Sequence, residues 1–342
     1  MFMTSKRILL VSETKSEILD KIREKFREIN AQLMDLNRVT TELVENQDLI
    51  VLLGSDRGFL RLHQLMKERT VPVLGIAPSG EIGFLTEIST NEIEKAVEAI
   101  TNDEYSIEEC LRISVWVDGE PGLYAVNDAA IFPFRSATLM EYELIVNNRL
   151  IWRDYSDGIV IATPIGSTAY AMSAGGPLIM SNVDVLSVVP VNSVDLTRRP
   201  LIVSSKSEIV ITEIHSRYRC EVIVDGLQRR KIRREVRIKK ARENMKIVRL
   251  MKEKIFEDRL VKKIKLAEEL MKAPPSVKLI LRILQEYGPL SLRDIITKSM
   301  LPPRTVRYAL SYLASRGLIR KKTMIRDARR SIYELSEKIS EI

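Results

Sequence analysis

A chain of 342 residues, 45% hydrophobic and 29% charged, has room for two or three packed domains, and its composition excludes a disordered or fibrous protein. No apolar run approaches the roughly 18 residues of a membrane helix, so no membrane partner is expected. Two cysteines and two histidines, Cys110, Cys220, His63 and His215, stand at no metal-ligand spacing, which excludes a His/Cys zinc centre and leaves no protein-built metal site.

The opening MFMTSKRILLVSE reads as a first strand rather than a secretory leader, and a cytoplasmic location is expected. From there RILLVSE, DLIVLLG and VPVLGIA are buried strands, alternating with helices over KSEILDKIREKFREIN, FLRLHQLMKE and NEIEKAVEAI. Alternation of this kind predicts a parallel sheet covered on both faces, over residues 1–108. The pattern then changes. LRISVWVDG, YAVNDAAIF, YELIVNNRLI, DGIVIATP, RPLIVSSKSEIVITEI, RCEVIVDGL and REVRIKKA are strand runs without long helices, so residues 109–250 read as a β-rich domain. GSTAYAMSAGG interrupts it as a short helix with glycine-rich ends. The basic run at 229–242 reads as a half-exposed strand with a solvated face.

Residues 251–273 read as a returning or linker helix, stopped by Pro274-Pro275. Residues 274–342 hold 14 Lys+Arg against 6 Asp+Glu, so the net charge of +8 lies wholly in this tail and the body is neutral. The tail reads as three helices and a hairpin. Ser291 and Asp294 make a capping box, Pro302-Pro303 open the third helix and Gly317 closes it. Val306, Ala309, Leu310 and Leu313 form its apolar stripe, opposite Arg304, Arg307, Tyr308, Ser311 and Ser315. The hairpin adds Arg320, Lys321, Lys322, Arg326, Arg329 and Arg330. The order of these parts resembles a winged helix-turn-helix domain of archaeal and bacterial transcription regulators, which implies double-stranded DNA as partner. A protein-interaction domain with a solvated basic face is the other reading.

No G-x-x-x-x-G-K-[ST] loop and no G-x-G-x-x-G fingerprint occurs. Instead, four separated stretches stand in order: GSDRGFLR after a strand, GIAPSGEIGFLTE, VNDAAI, and DGIVIATPIGSTAYAMSAGGPLI, with LTRRPLIV and VIVDGLQ behind them. Together they resemble the NAD kinase family, over roughly residues 1–270. The resemblance implies an α/β sheet domain plus a β-rich domain with the site between them. It implies phosphorylation of the adenosine-ribose 2′-hydroxyl of NAD to NADP with ATP and Mg²⁺, in a homodimer or homotetramer.

Residue by residue, the resemblance places the general base on Asp56. It places nucleotide contacts on Asn127, Asp128, Asp157, Thr168, Ala169, Tyr170 and Ser173, with Tyr155 and Gln228 near further contact positions. Gly54 and Gly58 let the backbone come near phosphates, and Arg57 and Arg61 are further candidate nucleotide contacts, arginine being a good phosphate ligand. The chemistry is apt: a ribose hydroxyl needs a base to take its proton, and an amide beside a carboxylate suits ribose and adenine edges.

The chain departs from the family in three places. The Gly-Gly-Asp-Gly-Thr loop reads Gly54-Ser55-Asp56-Arg57-Gly58; Ile165 replaces a threonine; Ala77 replaces an asparagine. A left-handed backbone at Arg57 would cost ~1–2 kcal/mol. Three functions fit: an NAD kinase with a DNA-binding or regulatory tail, a catalytically impaired NAD(P)-sensing transcription regulator, and a kinase whose tail mediates assembly.

Overall fold

The computed structural model describes residues 6–13, 22, 24–26, 31–78, 83–250, 260, 261, 264, 265, 272–324 and 327–336. The helix expected over 15–30 and the linker helix expected over 251–273 lie almost wholly outside the described residues. The chain forms two compact units, Met1–Phe256 and Glu257–Ile342.

The first unit opens with β1 (Ile8–Ser12), β2 (Gln32–Asp35), β3 (Leu49–Leu53), β4 (Val73–Ala77), β5 (Ile88–Ser89) and β6 (Ser106–Cys110). Every residue of β1, β3 and β4 is buried, which is why these strands are uninterrupted apolar runs rather than alternating ones. Between them lie α1 (Thr41–Glu45), α2 (Asp56–His63) and α3 (Ile93–Asn102). Helix α3 buries Ile93, Ala96, Val97 and Ile100, one stripe at helical spacing, in the core beneath the sheet.

Twelve further strands build two antiparallel six-stranded sheets. They are β7 (Ile113–Val117), β8 (Glu120–Ala125), β9 (Asp128–Pro133), β10 (Met140–Val146), β11 (Arg149–Ser156), β12 (Gly158–Ala162), β13 (Val185–Val191), β14 (Leu201–Ser204), β15 (Ile209–Ser216), β16 (Cys220–Val224), β17 (Gln228–Lys231) and β18 (Val236–Lys240). One sheet runs β11-β10-β15-β18-β7-β8 and the other β14-β13-β12-β9-β16-β17. Tyr142, Leu144, Ile159, Ile161, Val222 and Ile238 share the core they enclose. The run GSTAYAMSAGG leaves β12 as a 3-10 turn, Ile165–Thr168, and one helical turn, α4 (Tyr170–Ser173).

The last strand of this unit, β19 (Met245–Arg249), falls in the segment read as β-rich, yet it pairs in parallel with β4 and antiparallel with β6. The first sheet is therefore β2-β1-β3-β4-β19-β6 with β5 beside β4, and the chain crosses between the two halves twice. MKIVR is too short and too mixed in polarity for its sheet to be read from pattern.

The second unit contains α5 (Pro275–Tyr287), β20 (Leu290–Ser291), α6 (Leu292–Ser299), α7 (Pro303–Ser315), β21 (Ile319–Met324) and β22 (Asp327–Leu335), with sheet order β20-β22-β21. Ser291 Oγ accepts the Asp294 N–H at 3.3 Å, Pro303 stands at the first position of α7, and Gly317 has φ +66° just past its end. Val306, Ala309, Leu310 and Leu313 are buried, whereas Arg304, Arg307, Tyr308, Ser311 and Ser315 are exposed. Arg320 and Lys321 are exposed on β21; the side chains of Lys322, Arg326, Arg329 and Arg330 lie outside the described residues.

Candidate active site

Parallel pairing aligns the C-terminal ends of β1, β3 and β4, so the residues that leave them meet at one edge. Glu13 N donates to Leu53 O and Gly54 N to Ile76 O, each at 3.0 Å. The loop read as a turn at 54–58 is for the most part helix: α2 begins at Asp56 because Ser55, at φ −84° and ψ 174°, caps it and accepts the Gly58 N–H at 3.2 Å. Arg57 is in the first helical turn, exposed, and has no positive φ, so the left-handed cost considered for it does not arise.

Asp56 is occupied. Its carboxylate accepts the backbone N–H groups of Phe84, Leu85 and Thr86 at 2.6, 2.9 and 3.1 Å, and Gly83 N donates to Thr86 Oγ1 at 2.7 Å. A Cβ at Gly83 would stand 2.4 Å from Asp56 Oδ1, so glycine is needed for this approach. The second quoted stretch is thereby fastened to the first.

Glycine at 58 has a reason that the sequence did not disclose. A Cβ there would lie 2.4 Å from Glu13 Oε2, which accepts Ser55 N at 3.0 Å and Ser55 Oγ at 2.9 Å. Arg61 Nη1 stands 3.8 Å from Glu13 Oε1, and Arg61 Nη2 donates to Asn37 Oδ1 at 2.7 Å. The space beside Gly54 and Gly58, expected to admit phosphate, holds a carboxylate at the positive end of α2.

Beyond the other end of α2, Arg112 donates to Met66 O at 2.9 Å and Lys67 O at 2.5 Å and stacks on Tyr124 at 4.5 Å. Burial of its guanidinium lowers its pKa to about 10.

Asn127 and Asp128 lie where β8 turns into β9. Asp225 receives the N–H groups of Val126, Asn127 and Asp128 at 3.0, 2.8 and 3.2 Å. From the opposite side Thr163 N donates to Asn127 O at 2.9 Å, and a Cβ on Gly166 would fall 1.9 Å from that oxygen. The third and fourth stretches thus touch backbone to backbone. Burial, then the charge of Asp225, raises Asp128 to about 7; burial raises Asp225 to about 6.

Burial, then the charges of Asp128 and Asp157, raises the pKa of Tyr170; the two carboxylates stand at opposite ends of the β9–β12 pair, where Ala162 is opposite Asp128 and Ile159 opposite Ile131. Its ring lies 5.7 Å from that of Phe132. Asp157 Oδ2 accepts Asn192 Nδ2 at 2.8 Å. Thr168 is buried, with Oγ1 donating to Ile165 O at 2.9 Å; Ala169 is half-buried and Ser173 exposed beside it. Ile165, expected to remove a hydroxyl from the dinucleotide side, is buried at 6% exposure.

Tyr155 is not brought into this group. It is exposed on β11 opposite Glu141, which raises its pKa. Gln228 begins β17 opposite Val224, just past the Asp225 turn. Two surface cavities, one beside Asn147 and Lys240 and one beside Tyr218 and Arg233, include no expected site residue.

Sequence reasoning missed Glu13, Gln64, Gly83 and Asp225. Glu13 carried a usable signal, because it directly follows a buried parallel strand, as Gly54 does. Among the described residues, no group of three His, Cys, Asp or Glu side chains is arranged to hold a metal. No helix among them is long and apolar enough to cross a membrane.

A nucleotide-type edge above parallel strands, joined to a two-sheet β domain by Gln64 at Tyr124 O and Asp225, defines the α/β NAD kinase fold with two domains. Residues 6–105 match the ATP-NAD kinase N-terminal domain and residues 126–250 the ATP-NAD kinase C-terminal domain. The NAD kinase of Methanothermobacter thermautotrophicus is 35% identical over 209 residues, 60% of this chain and 73% of that one. The NAD kinase of Methanosarcina mazei is 33% identical over 263 residues, 72% of this chain and 89% of that one.

Among solved structures, an NAD kinase from Archaeoglobus fulgidus in complex with ATP superposes with TM-score 0.65 at 28% identity, covering 75% of this chain and 98% of that one. Yeast NADH kinase complexed with NADH shares the fold, with TM-score 0.68 at 19% identity, covering 78% and 89%. The chain belongs to the NAD kinase family.

Proposed function

We propose that this protein is an NAD kinase: it transfers the terminal phosphoryl group of ATP to the adenosine-ribose 2′-hydroxyl of NAD, giving NADP and ADP. The observation that carries the reading is the close approach of Gly166 to the Asn127 backbone, which brings the stretch running into Tyr170 against Asn127 and Asp128, an amide and a carboxylate suited to ribose hydroxyls. The names of the relatives, and the ATP in the archaeal neighbour, support the same reading.

In this reading Asp56 takes the 2′-hydroxyl proton as the new O–P bond forms and the bond from the terminal phosphorus to ADP breaks. The three N–H groups on its carboxylate fix its orientation. Arg57 and Arg61 face the donor phosphates, at the helix start where Glu13 lies against Gly54 and Gly58. Asn127, Asp128, Asp157, Thr168, Ala169, Tyr170 and Ser173 hold the dinucleotide, with Tyr155 and Gln228 at its margin. Mg²⁺ would come with the ATP phosphates, where it neutralises charge.

The second unit is a winged helix-turn-helix in this proposal, with α7 as the groove-reading helix and the β21–β22 hairpin as the wing. Exposed Arg304, Arg307, Tyr308 and Ser311, with Arg320 and Lys321, support double-stranded DNA as its partner. The chain acts as a cytoplasmic homodimer or homotetramer. Incubation with NAD, ATP and Mg²⁺, with NADP measured enzymatically, tests the kinase; no NADP above an Asp56→Asn control refutes it.

A further inference from the structure

The acceptor loop at 126–128 is held by a residue from elsewhere in the chain. Asp225, at the turn after β16, is 8% exposed, and its carboxylate receives three successive backbone N–H groups of that loop. Its own N–H donates to Asp128 O at 2.9 Å, so the two segments bind each other in both directions. A fourth donor comes from a different domain: Gln64 Nε2 reaches Asp225 Oδ2 at 3.0 Å and Tyr124 O at 2.9 Å. Gln64 is the residue that ends α2, and Asp56 is the residue that begins it. One rigid helix therefore spans the expected base and the expected dinucleotide loop.

The fastening is all on the backbone. Asp225 takes the N–H of Asn127, and Thr163 N donates to its C=O. With both main-chain groups engaged, the half-buried Asn127 side chain is set by its backbone, and among the described residues it has no hydrogen-bond partner. We propose that Asp225 is a positioning residue for dinucleotide binding, organising Asn127 and Asp128 and tying them through Gln64 to the helix that carries Asp56. The inference deepens the kinase reading and rests on it for the identity of the ligand.

Among the described residues, the charged and titratable groups around the pair are Asp128 and Asp225 themselves, Tyr170 on α4, which Asp128 acts on, and Arg112 ahead of β7, which Asp225 acts on together with Tyr124 and Glu68. Ionised Asp128 accepts hydrogen bonds from ribose hydroxyls, and the negative charge of Asp225 opposes that ionisation. Loss of Asp225 therefore misplaces the loop and also moves the acid limit of binding to lower pH.

Calorimetry of the full chain with NAD and NADP reads binding without turnover. Asp225→Asn weakens NAD about tenfold or more, because its amide cannot accept from every donor now on the carboxylate. Gln64→Met, which keeps Asp225, weakens it roughly threefold. The acid limb of NAD binding moves down in Asp225→Asn, and KM for ATP changes in neither variant, outcomes that general loosening of the fold would not give. Unchanged NAD affinity and an unmoved limb in Asp225→Asn overturn the assignment. If that variant does not fold, unchanged NAD affinity in Gln64→Met overturns it. A wild-type chain that binds NAD but makes no NADP refutes the kinase and leaves the assignment standing on the binding data. A wild-type chain that binds neither dinucleotide refutes both.

Discussion

Glu13 Oε2 takes both hydrogen-bond donors of Ser55, the backbone N–H at 3.0 Å and the hydroxyl at 2.9 Å. A carboxylate is thus docked at the start of α2, against the two glycines of the loop. Donor phosphates reaching that helix end meet this charge. Glu13→Gln keeps the size and one acceptor and removes the charge. KM for ATP is expected to fall about two- to fivefold, the effect of ~0.3–1 kcal/mol for a charge near a helix terminus. Steady-state kinetics at saturating NAD measure it; a KM for ATP that stays level or rises contradicts it.

Asp56→Asn removes the base and disturbs the three N–H bonds from Phe84 to Thr86. NADP formation should fall by about 10²–10⁴. Stability should fall by roughly 1–3 kcal/mol, since an amide nitrogen cannot accept those bonds. Rate and thermal midpoint are measured on the same preparation. Full activity in a destabilised protein would make Asp56 a structural residue alone.

Gly166→Ala places a methyl group where Asn127 O stands 1.9 Å away. Backbone on both sides leaves nothing flexible to yield, so a loss of roughly 1–3 kcal/mol or more is expected. NAD affinity should drop more than ATP affinity. Gly175→Ala is the contrast: its φ of +81° strains alanine, but no atom lies within 4 Å of the added carbon. Equal dinucleotide affinity in wild type and Gly166→Ala would show that the Asn127 contact does not set the site.

Stability should depend on pH through the buried pair. Asp128 and Asp225, raised to about 7 and about 6, hold protons in the folded state that the unfolded chain releases near pH 4. Their stabilising contribution is present below about pH 4 and is lost as pH rises through 6 to 7, with a slope of up to about 1.4 kcal/mol per pH unit for each group. Asp128→Asn should flatten part of that fall. Urea unfolding from pH 4 to 8 measures it, and equal slopes in wild type and variant would remove Asp128 as the cause. Dinucleotide binding should run the other way, strengthening as Asp128 ionises.

DNA affinity of the second unit should weaken steeply with salt. Arg304→Ala and Arg307→Ala should each reduce the slope of log K against log salt by about 1 if they contact phosphate. Fluorescence anisotropy with duplex DNA across a salt series measures it. A slope near zero in wild type argues for a protein partner instead.

The sequence alone determined the buried strands of the first sheet and the order of the family motifs. Continuous apolar runs such as LIVLL, and rare words such as STAYAMSAGGP, carry their meaning locally. It also determined the ends of α6 and α7, where Ser291 and Pro303 act within one helical turn. Only the tertiary structure decided that Glu13 fills the space beside Gly58, that β19 returns to the first sheet, and that Asp225 holds Asn127 from 98 residues away. Each of these depends on backbone groups brought together by strand pairing. A carboxylate at a turn looks alike in sequence whether it faces water or three N–H groups of a distant loop.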